Sequence, residues 1–128
     1  MNVSITHVAI YTMDLERMKM FYQKYFNAES NAKYENSKGF SSYFLTFSQG
    51  VKLEIMAHKE LEYREVVDKV TGINHIAFSV GSMDEVVALT GRITDDGYML
   101  LSPPRNTGDG FFESCIADPD GNRIEIVI

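Results

Sequence analysis

One stretch of this chain occurs twice, and each copy begins near a histidine and ends near a glutamate. Ile5-Thr6-His7-Val8-Ala9-Ile10 matches Ile73-Asn74-His75-Ile76-Ala77-Phe78, and Val51-Lys52-Leu53-Glu54-Ile55-Met56 matches Asn122-Arg123-Ile124-Glu125-Ile126-Val127. The histidines lie 68 residues apart (7 to 75) and the glutamates 71 apart (54 to 125). A period of about half the chain means that one supersecondary unit is built twice. Any fold proposed for the chain must therefore be one that a single module can make by pairing with its own repeat.

Local patterns give the module its order. Residues 3 to 11 alternate as a strand, with Ile5, His7, Ala9 and Tyr11 on one face and Val8 and Ile10 on the other. Asp14 is a fair N-cap, and Leu15, Met18, Phe21, Tyr22, Tyr25 and Phe26 follow at helical spacing. Strands are then expected over 29 to 36, 42 to 47 and 51 to 57, separated by turns that contain Gly39 and Gly50. In the second half a strand over 73 to 80 leads to a capping box, Ser82 to Glu85, and to a helix whose buried stripe would be Val86, Val87, Leu89 and Ile93. Strands near 97 to 102, 111 to 117 and 122 to 128 complete it, with Asp118-Pro119-Asp120-Gly121 as a tight turn before the last. Each half reads βαβββ. The predicted class is α+β: one domain over 1–128, with a first module over about 1–58, a linker holding a short helix over about 59–72, and a second module over about 73–128. The two curled sheets would surround a metal-binding cleft.

Composition narrows the possible partners. A formal charge of −6, from 12 Lys and Arg against 18 Asp and Glu, leaves no basic surface for a nucleic-acid backbone. No run of eighteen apolar residues exists to cross a membrane, and the start lacks the pattern of an export signal. Cys115 is the only cysteine, so neither an intrachain disulfide nor a thiolate cluster can form. A small-molecule substrate and a reducing, cytoplasmic setting are the expectation.

Strand alternation turns the repeat into a candidate coordination sphere. Val51, Leu53 and Ile55 would pack under a helix, which sends Glu54 to the other face, and Ile124, Ile126 and Ile128 do the same for Glu125. His7, Glu54, His75 and Glu125 are thus the predicted metal ligands. Taken singly, each is an ordinary strand residue; recurrence of both types at matching places is what needs a cause, because a carboxylate facing a cleft is costly without a cation. Two imidazoles and two carboxylates suit Zn, Ni, Co, Mn or Fe, and disfavour copper(I) and closed structural zinc. Four protein ligands leave positions for two adjacent substrate oxygens, which favours Lewis-acid support of an enediolate. Glu125, with Glu54 as the other candidate, would serve as the catalytic base. Arg105, in an expected loop from Ser102 to Gly110, is a candidate to bind a substrate carboxylate. Cys115 reads as a packed residue, not a nucleophile.

These residues resemble a known family. His7 to Tyr11, Glu54 within Lys-Leu-Glu-Ile, Asn74 to Val80, and Asp118 to Glu125 together are similar to the vicinal oxygen chelate superfamily (glyoxalase, bleomycin resistance, extradiol dioxygenase), nearest to glyoxalase I-like, lactoylglutathione lyase-like proteins. The resemblance covers essentially the whole chain. It implies a Zn- or Ni-dependent lyase that isomerises the hemithioacetal of a 2-oxoaldehyde and a thiol, acting as a homodimer. Glutathione-using relatives carry an Arg shortly after the first His and an Asn after the first Glu. Here Tyr11 and His58 stand at those places, so Tyr11 is the substrate-contact candidate and another thiol or oxo substrate comes into view. The superfamily also implies alternatives: an epimerase, an extradiol dioxygenase or thiol transferase that would leave Glu54 without a role, or a metal-free antibiotic-binding protein.

Overall fold

A computed structural model describes all 128 residues. The chain divides into two units, Met1–Arg64 and Glu65–Ile128. The first contains β1 (His7–Tyr11), α1 (Leu15–Phe26), β2 (Glu29–Ser30), β3 (Tyr34–Glu35), β4 (Phe40–Thr46) and β5 (Lys52–His58). The second contains β6 (His75–Ser79), α2 (Met83–Asp95), β7 (Leu100–Asn106), β8 (Phe112–Ala117) and β9 (Arg123–Val127). The class is α+β, as expected. No helix is long and apolar enough to cross a membrane.

In both units the first strand pairs in parallel with the last, and the remaining strands run antiparallel beyond it. The orders are β1-β5-β4-β2, with β3 also on β4, and β6-β9-β8-β7. The expected strand over 29 to 36 is broken into β2 and β3. Both pair with β4, but four steps from Ser30 to Tyr34 span only three from Leu45 to Ser42, so one residue bulges out. Asn31 fills the gap, its Oδ1 accepting from the Phe44 N–H at 2.8 Å.

α1 starts where Asp14 accepts from the Arg17 N–H at 3.0 Å and stops at Asn27, whose φ of 53° is left-handed. Its buried stripe, Leu15, Met18, Phe21, Tyr22 and Tyr25, covers Tyr43, Leu45, Leu53 and Ile55. Above the core, the Tyr43 hydroxyl donates to Glu16 at 2.6 Å, which holds that carboxyl below its ordinary range.

α2 is capped as the sequence implies, Ser82 Oγ accepting from the Glu85 N–H at 3.1 Å. Its buried stripe differs from expectation: Val87 is exposed and Leu89 half-buried, whereas Thr90 is buried between Val86 and Ile93. Positions 86, 90 and 93 follow helical spacing, and Thr90 can occupy the middle because its hydroxyl bonds Ser114 Oγ at 2.6 Å and the Val86 carbonyl at 2.5 Å. Val51 and Ile128, expected on the packed faces, lie just outside β5 and β9 and are exposed.

Two further expectations are corrected. No helix forms in 59–72: Lys69 takes a left-handed φ of 59°, and the β-branched Val66, Val67 and Val70 are exposed, with no face to bury. Secondly, Arg105 is not in a loop. β7 runs through Pro103 and Pro104 to Asn106, which is possible because it is an edge strand whose register against β8 slips twice, so two missing N–H groups break no ladder.

Candidate metal centre

The parallel pairings place the predicted ligands. His7 is opposite Lys52 and Ala9 opposite Glu54, so His7 and Glu54 are diagonal neighbours on one face. His75 is opposite Arg123 and Ala77 opposite Glu125, which is the same relation in the second unit. His7 Nε2 lies 3.7 Å from Glu54 Oε1, and His75 Nε2 lies 3.1 Å from Glu125 Oε2. The four residues thus stand as two like pairs, one in each unit, and the structure shows no group of three or more His, Cys, Asp or Glu side chains arranged to hold a metal ion.

Both imidazoles are engaged through the other nitrogen. Thr6 Oγ1 is 2.9 Å from His7 Nδ1, and Asn74 Oδ1 is 2.8 Å from His75 Nδ1. The residue just before each histidine therefore occupies Nδ1 and leaves Nε2 aimed at the carboxylate. Asn74 is itself held, its Nδ2 donating to Asp68 Oδ1 at 2.8 Å. That bond, with one from the Lys69 backbone, holds Asp68 below its ordinary range.

The donor set fits a divalent metal. At metal–ligand distances of about 2.0–2.2 Å, two ligands at right angles sit roughly 3 Å apart. His75 and Glu125 already stand at that separation, and His7 and Glu54 need approach by less than about 1 Å. The carboxylates are mostly covered, 14% and 22% exposed, whereas the histidines are 41% and 37% exposed, so each Nε2 is reachable.

Other groups share these faces. Phe44, opposite Glu54, packs edge-on against the His7 ring at 5.3 Å. Tyr11 continues the His7 face of β1 and is half exposed. In the second unit Glu113 is opposite Arg105, and Cys115 is opposite Glu125. Burial pushes the Glu113 carboxyl up, and its hydrogen bond to Glu125 adds to this while Arg105 opposes it. From edge to edge, His75, Glu125, Glu113 and Arg105 come from β6, β9, β8 and β7 in turn. Burial also raises the Cys115 thiol, which keeps it protonated and poorly reactive.

Thr6, Asn74, Asp68 and Glu113 were not singled out by sequence reasoning. Thr6 and Asn74 stood in the repeat, each immediately before its histidine, and that shared position was the available signal. Glu113 alternates with Cys115, but nothing in the sequence pairs it with Glu125. Asp68 gave no signal at all.

A profile of the Glyoxalase/Bleomycin resistance protein/Dioxygenase superfamily matches residues 4–126. The chain belongs to that superfamily. A probable trivalent organoarsenical cleaving enzyme from Bacillus subtilis is 28% identical over 127 residues, covering 93% of this chain and 75% of the relative. A glyoxylase/bleomycin resistance protein/dioxygenase domain from Frankia superposes with a TM-score of 0.85 at 17% identity, covering 99% of this chain and 92% of that one. Glyoxalase I from Zea mays superposes at 0.80 with 20% identity over 96% of this chain. This chain spans 43% of the maize enzyme's length. The two structural likenesses share the superfamily's fold.

Proposed function

We propose that the protein is a metal-dependent, glyoxalase I-like isomerase in which His7, Glu54, His75 and Glu125 together hold one divalent ion, Zn or Ni first among the candidates. One observation carries this reading: the same His–Glu diagonal recurs in both units, each Nδ1 occupied and each Nε2 facing a carboxylate oxygen. A bound ion would supply Lewis-acid stabilisation of charge that builds on two adjacent substrate oxygens.

The chain's own residues then have distinct tasks. Glu125 takes the proton from the carbon beside the substrate carbonyl and returns it to the neighbouring carbon, which isomerises a 2-oxoaldehyde hemithioacetal without net oxidation. Glu54 is the matching carboxylate of the first unit. Glu113 hydrogen-bonds Glu125. Arg105 and Tyr11 contact the substrate, Arg105 by its positive charge and Tyr11 where a glutathione-using relative would place an Arg. The working form is a homodimer, tested by its mass in solution, and the single cysteine suits a cytoplasmic setting.

Metal analysis of the purified protein, followed by assays of methylglyoxal with glutathione and with other thiols, tests the proposal. Stoichiometric metal, lost in His75→Ala and reduced in Glu125→Gln, with turnover of at least one thiol adduct, is the expected result. Unchanged metal content in both variants refutes the ligand assignment. Metal without isomerase activity on any adduct favours the epimerase or dioxygenase alternative. No metal binding, with tight binding of an antibiotic, favours the binding-protein alternative.

A further inference from the structure

We propose that Asp68 and Asn74 are positioning residues that lock the His75 imidazole in the Nδ1–H form, with Nε2 presented to the cation beside Glu125. The inference deepens the metal reading of the same site and rests on it for its functional consequence, though not for its chemistry.

Donor and acceptor roles leave one solution. The Asp68 carboxylate only accepts, so the Asn74 atom facing it at 2.8 Å is the Nδ2 amide. Asn74 Oδ1 is thereby turned to His75 Nδ1, also at 2.8 Å, and a carbonyl oxygen there requires that nitrogen to carry the proton. His75 Nε2 then faces Glu125 Oε2 at 3.1 Å. In a neutral ring two lone pairs would oppose each other at that distance, a repulsion that a cation or a shared proton between them relieves. A carboxylate behind the amide also makes the imidazole a better donor to that cation, as such partners do around bound metals.

The first unit lacks this arrangement. Thr6 Oγ1 approaches His7 Nδ1 at 2.9 Å, but a hydroxyl can donate or accept, so it does not dictate the tautomer. His7 and Glu54 are also farther apart, at 3.7 Å. His75 and Glu125 are accordingly the pre-set half of the site, and His7 and Glu54 the half that adjusts. Asp68 lies in the segment between the modules, so that segment reaches a ligand through one amide.

Long-range ¹H–¹⁵N NMR correlation of the metal-free protein at about pH 8, where free imidazole is neutral, reads the tautomer directly. His75 is expected in the Nδ1–H form in the natural protein and as a mixture in Asn74→Ala and Asp68→Ala. Calorimetric Zn titration should show a roughly 10–100-fold weaker site in Asn74→Ala, a smaller loss in Asp68→Ala, and a smaller loss again in Thr6→Val. Asp68 is on the surface, so Asp68→Ala keeps the test available if Asn74→Ala misfolds. An Nε2–H tautomer in the natural protein, or no change of tautomer in both variants, overturns the inference. If the natural protein binds no Zn but its His75 tautomer responds as described, the positioning stands and the metal reading fails. If Zn binds equally in all variants, the reading stands and the positioning fails.

Discussion

The buried hydroxyl pair between α2 and β8 yields a prediction with a sign that contact counting would miss. Thr90 is 3% exposed and Ser114 0%, and their oxygens are 2.6 Å apart. Thr90→Val is isosteric but strands the Ser114 hydroxyl in the core, at a cost of about 1–3 kcal/mol. Ser114→Ala strands nothing, because Thr90 keeps its bond to the Val86 carbonyl at 2.5 Å, and should cost about 1 kcal/mol. The double variant removes both partners and should be little worse than Ser114→Ala alone, which makes the interaction energy favourable by about 1–2 kcal/mol. In urea titration, with a slope of about 2 kcal/mol/M, Thr90→Val would lower the midpoint by roughly 1 M, and the double variant would recover most of that. Additive losses in the double variant refute the assignment of the pair as mutual partners.

Three further perturbations test the electrostatics and the caps. Burial raises Glu113, so in metal-free protein the folded state binds its proton more tightly than the unfolded state, and stability falls as pH rises from the ordinary glutamate range through the raised value. Glu113→Gln should therefore be more stabilising at pH 7 than at pH 4 in denaturant titrations, and the reverse order would contradict the burial account. Glu16 is depressed by the Tyr43 hydroxyl, so its contribution is present above the ordinary range and lost as pH falls. Tyr43→Phe should show a shallower acid-side loss in pH-dependent melting, with a cost at pH 7 of no more than about 1 kcal/mol because Glu16 is half exposed. At the end of α1, Asn27→Gly should leave the thermal midpoint nearly unchanged, whereas Asn27→Ala should lower stability by about 1 kcal/mol, since only the former accepts the left-handed φ without strain.

What the sequence revealed followed from periodicity, and what it hid depended on partners far along the chain. The His7, Glu54, His75 and Glu125 faces were readable because alternation fixes the side of a strand, and the caps at Asp14 and Ser82 because their bonds are local. Thr90 is polar and falls outside any apolar stripe; only Ser114, 24 residues away, makes its burial tolerable. Arg105 reads as a loop residue because its stretch is rich in Gly and Pro, and the edge position that lets a strand carry the prolines is a property of the sheet order. The charged run in 59–72 and a stop at Gly72 suggest a short helix, but that segment has no surface to cover. The bulge at Asn31 and the Asp68–Asn74 bond likewise depend on tertiary register, which no local pattern encodes.

The parallel pairing of first strand with last also sets a chronology. Glu54 lies 47 residues after His7 and Glu125 50 after His75, so each pair closes one of the widest loops in its unit, and such closures come at the greatest entropic expense. A ribosome making the chain from its N-terminus releases β1 long before β5 can lie beside it. Each His–Glu pair is therefore a certificate of completed folding: a half-made module has a histidine strand with no glutamate next to it, and a probe of that contact would time the end of that module's assembly.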